Sequence, residues 1–180
     1  VIDSNQKLIG MVGSVLGALI IMQFEKTLEE AAILAAFIPL VAATAGNAGI
    51  QSSAVAVQGL AYGSVWNGSI FRRFGKELSV AILNGLGIAL LVGLFIFAVT
   101  IVSPVSLEHP FQLAMTIGTA LMAVITLATL MGAAMPLVLD RFGIDPAVST
   151  GPFITVTNDV VGISVYFVTA TLIYLNAGPP

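Results

Sequence analysis

The sequence predicts an all-α membrane protein with five transmembrane helices per protomer, and three observations carry that prediction. The first is composition: 58% of the 180 residues are hydrophobic and only 8% are charged, where soluble domains carry roughly a quarter charged residues. The mean hydropathy of +1.06 agrees. The second is run length. The apolar stretches are too long and too unbroken for barrel strands, which leaves helices to satisfy the backbone in hydrocarbon. The third is Asp159, the one charged side chain deep inside the apolar stretch from Ala147 to Leu175. A carboxylate near the middle of a span costs about 3 kcal/mol on insertion scales and more by simulation. Membrane proteins keep such groups mainly for ions, protons or substrates, so Asp159 points to transport. The absence of Cys excludes disulfides, thiolate metal sites and cysteine nucleophiles. With a net charge of −3 and no basic surface, nucleic acid is not an expected partner.

The chain opens at Val1 on a polar stub rather than on Met, as expected of a fragment cut from a longer protein. The first apolar run, 8–24, follows Lys7 and mimics a signal peptide. It is long for a signal core, and no small-x-small cleavage site precedes Glu25-Lys26, so it reads as the first membrane helix. The second span covers 31–62 and the fourth 111–139. Both exceed the ~20 residues a bilayer needs, and each contains a proline (Pro39, Pro136), so interrupted or tilted helices are expected. Pro39-Leu40-Val41 with Gly46, and Pro136-Leu137-Val138 with Gly143, hint at a parallel repeat between these two spans. The third span is 78–102 and the fifth 147–175, with the charges between the apolar segments.

Basic residues orient the spans. Lys7, Arg72, Arg73, Lys76 and Arg141 fall on one side and Lys26 alone on the other. By the positive-inside rule the N-terminus is cytoplasmic and the C-terminus outside. Glu25, Glu29, Glu30 and Glu108 then form an acidic outer mouth that attracts cations, or are simply solvated loop charges. His109 reads as a loop residue, and Tyr62 and Trp66 as interfacial anchors.

On the fifth span, Thr155 lies one turn before Asp159 on the same face. Asp145 precedes Asp159 by about 21 Å along the axis and about 40° in angle, marking the cytoplasmic end of one stripe. Gly151-Pro152 lies between them, and Pro152 offers no N–H to the carbonyl of Val148, which then needs another donor or a cation. Two plainer readings stand beside these. Asp159 can be a structural carboxylate bonded to Asn158, Thr157 or a neighbouring helix. Asp145-Pro146 can be an ordinary helix N-cap with Pro at N1, alone or together with an ion-path role. On the second span, Asn47 and Gln51 are four residues apart beside Gly46 and Gly49. Such a run serves close helix packing or lines a wet path, and periodicity does not choose.

Pro39-x6-Gly46-Asn47-x-Gly49-x-Gln51, with Pro136, Gly143, Asp145-Pro146-Ala147, Ser149, Pro152, Asp159, Gly162 and Tyr166-Phe167 at matching spacing, resembles the MgtE magnesium transporters. The resemblance extends over the whole chain and makes residues 1–180 a single transmembrane pore domain. It implies a multi-pass cell-membrane protein, not an enzyme, that assembles as a homodimer with a cation pore on the twofold axis. The pore would be lined by the second and fifth helices, with Asp159 as the central carboxylate facing its dimer mate. Some members carry Asn before the proline matched by Pro152; here Gly151 stands there, so only its backbone can contribute. Cytoplasmic regulatory domains of full-length members are absent from this chain.

The expected function is Mg2+ conduction into the cytoplasm, with Mn2+, Co2+ or Ca2+ as further ions. Asp159 holds the hydrated ion, Thr155 and nearby carbonyls including that of Gly151 support its waters, Asp145 borders the exit, and Asn47 and Gln51 shape the wall. Two facing carboxylates would neutralise one divalent ion, and Mg2+ is typically held by one or two carboxylates with its waters retained. Inward flow across 100 mV gains about 4.6 kcal/mol, so no energy-coupling domain is required. The alternatives are a proton- or sodium-coupled carrier rocking around Asp159, an intramembrane aspartyl protease, and a scaffold in which Asp159 is packing glue.

Overall fold

A computed structural model describes residues 4–30, 32–63, 70–102 and 109–175. All regular structure among them is helical. Helix α1 is Ser4–Gln23, α2 is the short Glu25–Glu30, and a 3-10 turn over Ala32–Phe37 leads into α3, Ile38–Ala61. Then follow α4 (Ile70–Val102), α5 (Pro110–Arg141) and α6 (Pro146–Ala170), the last ending in a π-helical turn, Thr171–Leu175. Four segments are long and apolar enough to cross a membrane: Ala32–Ala61, Phe71–Val102, Pro110–Arg141 and Phe153–Tyr174. In α1 the apolar stretch Met11–Gln23 is shorter. Trp66 and Glu108 lie outside the described residues.

Contacts between small residues set the helix directions. Gly85 of α4 meets Met122 of α5 and Ala89 meets Gly118, so this pair is antiparallel. Gly162 of α6 touches both Ala45 of α3 and Val124 of α5, while Gly49 meets Ile154; α6 therefore runs against both α3 and α5. Helix α1 runs with α6. Gly13 lies on Val156, Gly17 near Ile163, Phe24 stacks on Phe167 at 4.9 Å, and the hydroxyls of Thr27 and Thr171 are 3.1 Å apart. Without a hydrophobic force between helices in lipid, close approach of this kind is what holds a bundle together.

The core lies where α3, α5 and α6 meet, with Val41, Ala45, Leu121, Val124, Ile125, Ile163 and Phe167 buried together. The Tyr166 hydroxyl donates to the Leu34 carbonyl at 2.7 Å, tying α6 to the 3-10 turn, and Gln112 donates to the Tyr174 carbonyl at 2.8 Å. Of the four long apolar segments, α5 is the most enclosed and α4 the least.

Four expectations change. The second span is interrupted, but before Pro39 rather than after it: the 3-10 turn ends at Phe37, and Pro39 falls in the first turn of α3, where its missing N–H is no loss. Pro136 interrupts nothing; α5 continues through it to Arg141. Only one carbonyl, that of Gly132, loses its helical donor there. Pro39 thus opens α3 while Pro136 lies near the end of α5, and Gly143 lies beyond that helix, so the suggested repeat has no structural counterpart. Finally, α4 begins at Ile70, eight residues before the expected third span. Arg72, Arg73, Lys76 and Glu77 are therefore helical residues rather than loop charges. At 33 residues, α4 is about 50 Å long against a ~30 Å hydrocarbon core, so it can carry those charges beyond the lipid tails.

Candidate functional site

The connection from α5 to α6 is built by local chemistry. Gly143 adopts φ +72, its N–H bonds to the Asp140 carbonyl, and the Ile144 N–H bonds to Leu139 at 3.0 Å. This closes α5 with a left-handed glycine and satisfies its last carbonyls. Two residues later Asp145 caps α6, accepting a hydrogen bond from the Ala147 N–H at 2.9 Å, with Pro146 at the first helical position. The N-cap reading of Asp145 is the observed one. Its side chain is also exposed, which leaves its second oxygen open to water or an ion.

From this start α6 runs through Gly151 and Pro152 to Asp159. Gly151 and Thr155 are exposed, and the Thr155 hydroxyl donates to the Gly151 carbonyl at 3.1 Å. With its proton committed to the backbone, the threonine oxygen presents lone pairs outward. Asp159 is half-buried, and among the described residues its carboxylate has no hydrogen bond and no ion pair. The partners that a structural role needed are engaged elsewhere. Asn158 donates to the Ala45 carbonyl of α3 at 3.0 Å, and Thr157 donates to the Phe153 carbonyl at 2.6 Å. Around the axis, Asp159 falls about 60° from Val156 and about 100° from Asn158. It therefore lies between the side of α6 that meets α1 and the side that meets α3.

The structure gathers Asp145, Gly151, Thr155 and Asp159 along one helix, but it does not bring Asn47 and Gln51 to them. Both are exposed, and Asn47 is about 160° around α3 from Ala45 and Gly49, the residues that touch α6. Gln51 instead lines a cavity shared with α4 and α5. Among the described residues no three His, Cys, Asp or Glu side chains converge on a metal position. One chain thus offers a single carboxylate at this depth, with hydroxyl and carbonyl oxygens beside it. Such oxygens suit hard cations.

Sequence reasoning missed two features. Asn158 is the clasp that fixes the rotation of α6 beside Asp159, and Glu77 is an acid inside α4. The run from Ile70 to Glu77 contains no Pro and a single Gly, and apolar Phe71 and Phe74 alternate with its charges; that was the available signal for an extended helix.

A family model described as MgtE, divalent cation transporter, matches residues 38–169, from the start of α3 almost to the end of α6. The chain belongs to the MgtE family. The match takes in both the Pro39–Gln51 motif and the Asp145–Asp159 stripe. Curated magnesium transporters of that name are similar to it: one from Enterococcus faecalis at 39% identity over 155 residues, one from Thermus thermophilus at 33% over 155, and one from Bacillus subtilis at 30% over 152. These alignments cover 84–86% of this chain and 32% of each relative, so the chain spans about a third of the length of the MgtE transporters it matches. Family membership and its long apolar helices make it an integral, multi-pass membrane protein.

Proposed function

We propose that the chain is the pore domain of an MgtE-type magnesium transporter and conducts Mg2+ into the cytoplasm. The observation that carries this reading is the Asp159 carboxylate, held half-buried midway along α6 with no protein partner among the described residues. An uncompensated charge at that depth is retained for an ion. Five spans are proposed, α1 joining the four longer ones; its parallel course beside α6 from Gly13 to Thr27 supports this. The N-terminus is cytoplasmic and the C-terminus outside.

Two copies form a symmetric dimer, so that two Asp159 carboxylates face one another across the axis and balance one divalent charge. Mg2+ dehydrates reluctantly, and the ion passes with most of its waters. Thr155 and the Gly151 carbonyl accept hydrogen bonds from those waters, and Asp145 borders the cytoplasmic exit. Asn47, turned away from its own α6, contributes to the wall where the copies meet, with Gln51 behind it. The membrane potential drives the ion inward, with Mn2+, Co2+ and Ca2+ as competing ions.

The test is divalent flux into proteoliposomes for the wild-type chain and Asp159→Ala, each first shown to be a folded dimer. Magnesium flux lost in the variant is the expected result. Equal flux from both proteins would move the path away from α6 and sink the proposal.

A further inference from the structure

A second set of polar side chains lies in a cavity of about 270 Å³ between α3, α4 and α5. Gln51 and Ser52 line it from α3, Glu77 and Asn84 from α4, and Thr129 from α5. Glu77 and Asn84 are seven residues apart, two turns along one face. The Ser52 hydroxyl donates to Glu77 Oε2 at 2.8 Å, which is the carboxylate's hydrogen bond in this cavity. No cation pairs with Glu77 among the described residues. Arg73, one turn earlier, does not line the cavity, and its Nε and Nη2 are buried without partners among the described residues.

Thr129 adds an open hydroxyl to this lining. Thr44, Thr100, Thr155, Thr157 and Thr169 bond back to the carbonyl four residues earlier, whereas the α5 threonines Thr116, Thr119, Thr126 and Thr129 make no such bond among the described residues. Thr129 is the one of these that lines the cavity, and its hydroxyl, unlike the buried one of Thr116, is reachable from it. A reachable hydroxyl with no protein hydrogen bond, beside a carboxylate with no cationic partner among the described residues, suits a ligand that offers its water shell to oxygens and carries positive charge.

We infer that this cavity binds a partly hydrated divalent cation. The donors are all oxygens, the set preferred by hard cations, and one carboxylate with neutral oxygens and retained waters is how Mg2+ is typically held. The volume accommodates several waters at ~30 Å³ each. Ser52 gives its proton to Glu77, so its own oxygen remains free to accept from an ion's water shell. Helix α6 contributes nothing to the cavity, so this site shares no carboxylate with a path through Asp159, although Gln51 borders both.

The experiment is a Mn2+ titration of the purified 180-residue chain in detergent, read by paramagnetic resonance of free Mn2+, in an Asp159→Asn background. One Mn2+ per chain is expected to remain, weakened at least about tenfold by adding Glu77→Gln and several-fold by Thr129→Val. An unchanged titration in Glu77→Gln, or no Mn2+ bound in the Asp159→Asn chain, would overturn the site. If Glu77→Gln does not fold, Thr129→Val and Asn84→Leu decide, and unchanged binding in both is a refutation. Displacement of Mn2+ by an equal concentration of Na+ would overturn the divalent assignment. Failure of the pore reading is separately visible, as flux that survives Asp159→Ala while Glu77→Gln still weakens Mn2+ binding.

Discussion

Gly49 and Gly132 meet backbone to backbone. A Cβ on Gly132 would stand 2.9 Å from the Gly49 carbonyl carbon and 3.0 Å from its Cα, while Gly49 itself faces Asn158 and lies close to Ile154 of α6. Three helices converge there, one turn from the Ala45 carbonyl that receives the Asn158 amide.

Gly132→Ala should therefore force α3 away from α5, since neither neighbour is a side chain that can swing aside. The expected cost is about 1–3 kcal/mol, seen as a lower melting temperature in detergent. Gly46→Ala is the control, because nothing lies within 4 Å of a Cβ there. Equal melting of the two variants would contradict the packing described.

Asn158→Leu keeps side-chain volume but removes the clasp to α3. Interhelical hydrogen bonds in membranes average about 0.6 kcal/mol, with a maximum near 1.7, so the stability loss should be small. Flux should fall by more than stability does, because the rotation of α6 sets where Asp159 points. Unaltered flux would show that the clasp has no positioning role.

Asp145 allows its two roles to be separated. Asp145→Ala loses the cap and should cost about 1 kcal/mol, whereas Asp145→Asn retains it. If the carboxylate also borders an ion path, Asp145→Asn lowers divalent flux at unchanged stability. Wild-type flux in Asp145→Asn would leave the residue as a cap alone.

Asp159→Asn should alter thermal stability by no more than ~0.5 kcal/mol, because among the described residues the carboxylate makes no hydrogen bond or ion pair to lose. A marked drop in melting temperature, with flux preserved, would identify Asp159 as a packing residue.

Much of this was legible from residue type alone. Gly143, Asp145 and Pro146 mark the end of α5 and the start of α6 because their backbone preferences act locally, whatever surrounds them. Asp159 declared itself because no apolar neighbour in sequence can offset a charge. The start of α4 was not legible: hydropathy marks where a helix becomes apolar, not where its hydrogen bonding begins, and the charged residues from Arg72 to Glu77 precede that point on the same helix.

By itself, then, the sequence determined the solvent, the helices and the exceptional carboxylate, since each follows from composition or short-range backbone chemistry. Tertiary structure decided which polar groups are consumed in packing and which are left over. Asn158 is spent on Ala45 and Thr157 on Phe153, whereas Asp159 and Thr129 have no hydrogen-bond partner among the described residues; Asn47 faces away from α6, and Gln51 joins Glu77. The physical reason is that lipid and protein interior are equally apolar. Hydrophobic periodicity therefore no longer tells the inner face of a helix from the outer one, and only contact between helices assigns each polar side chain its partner.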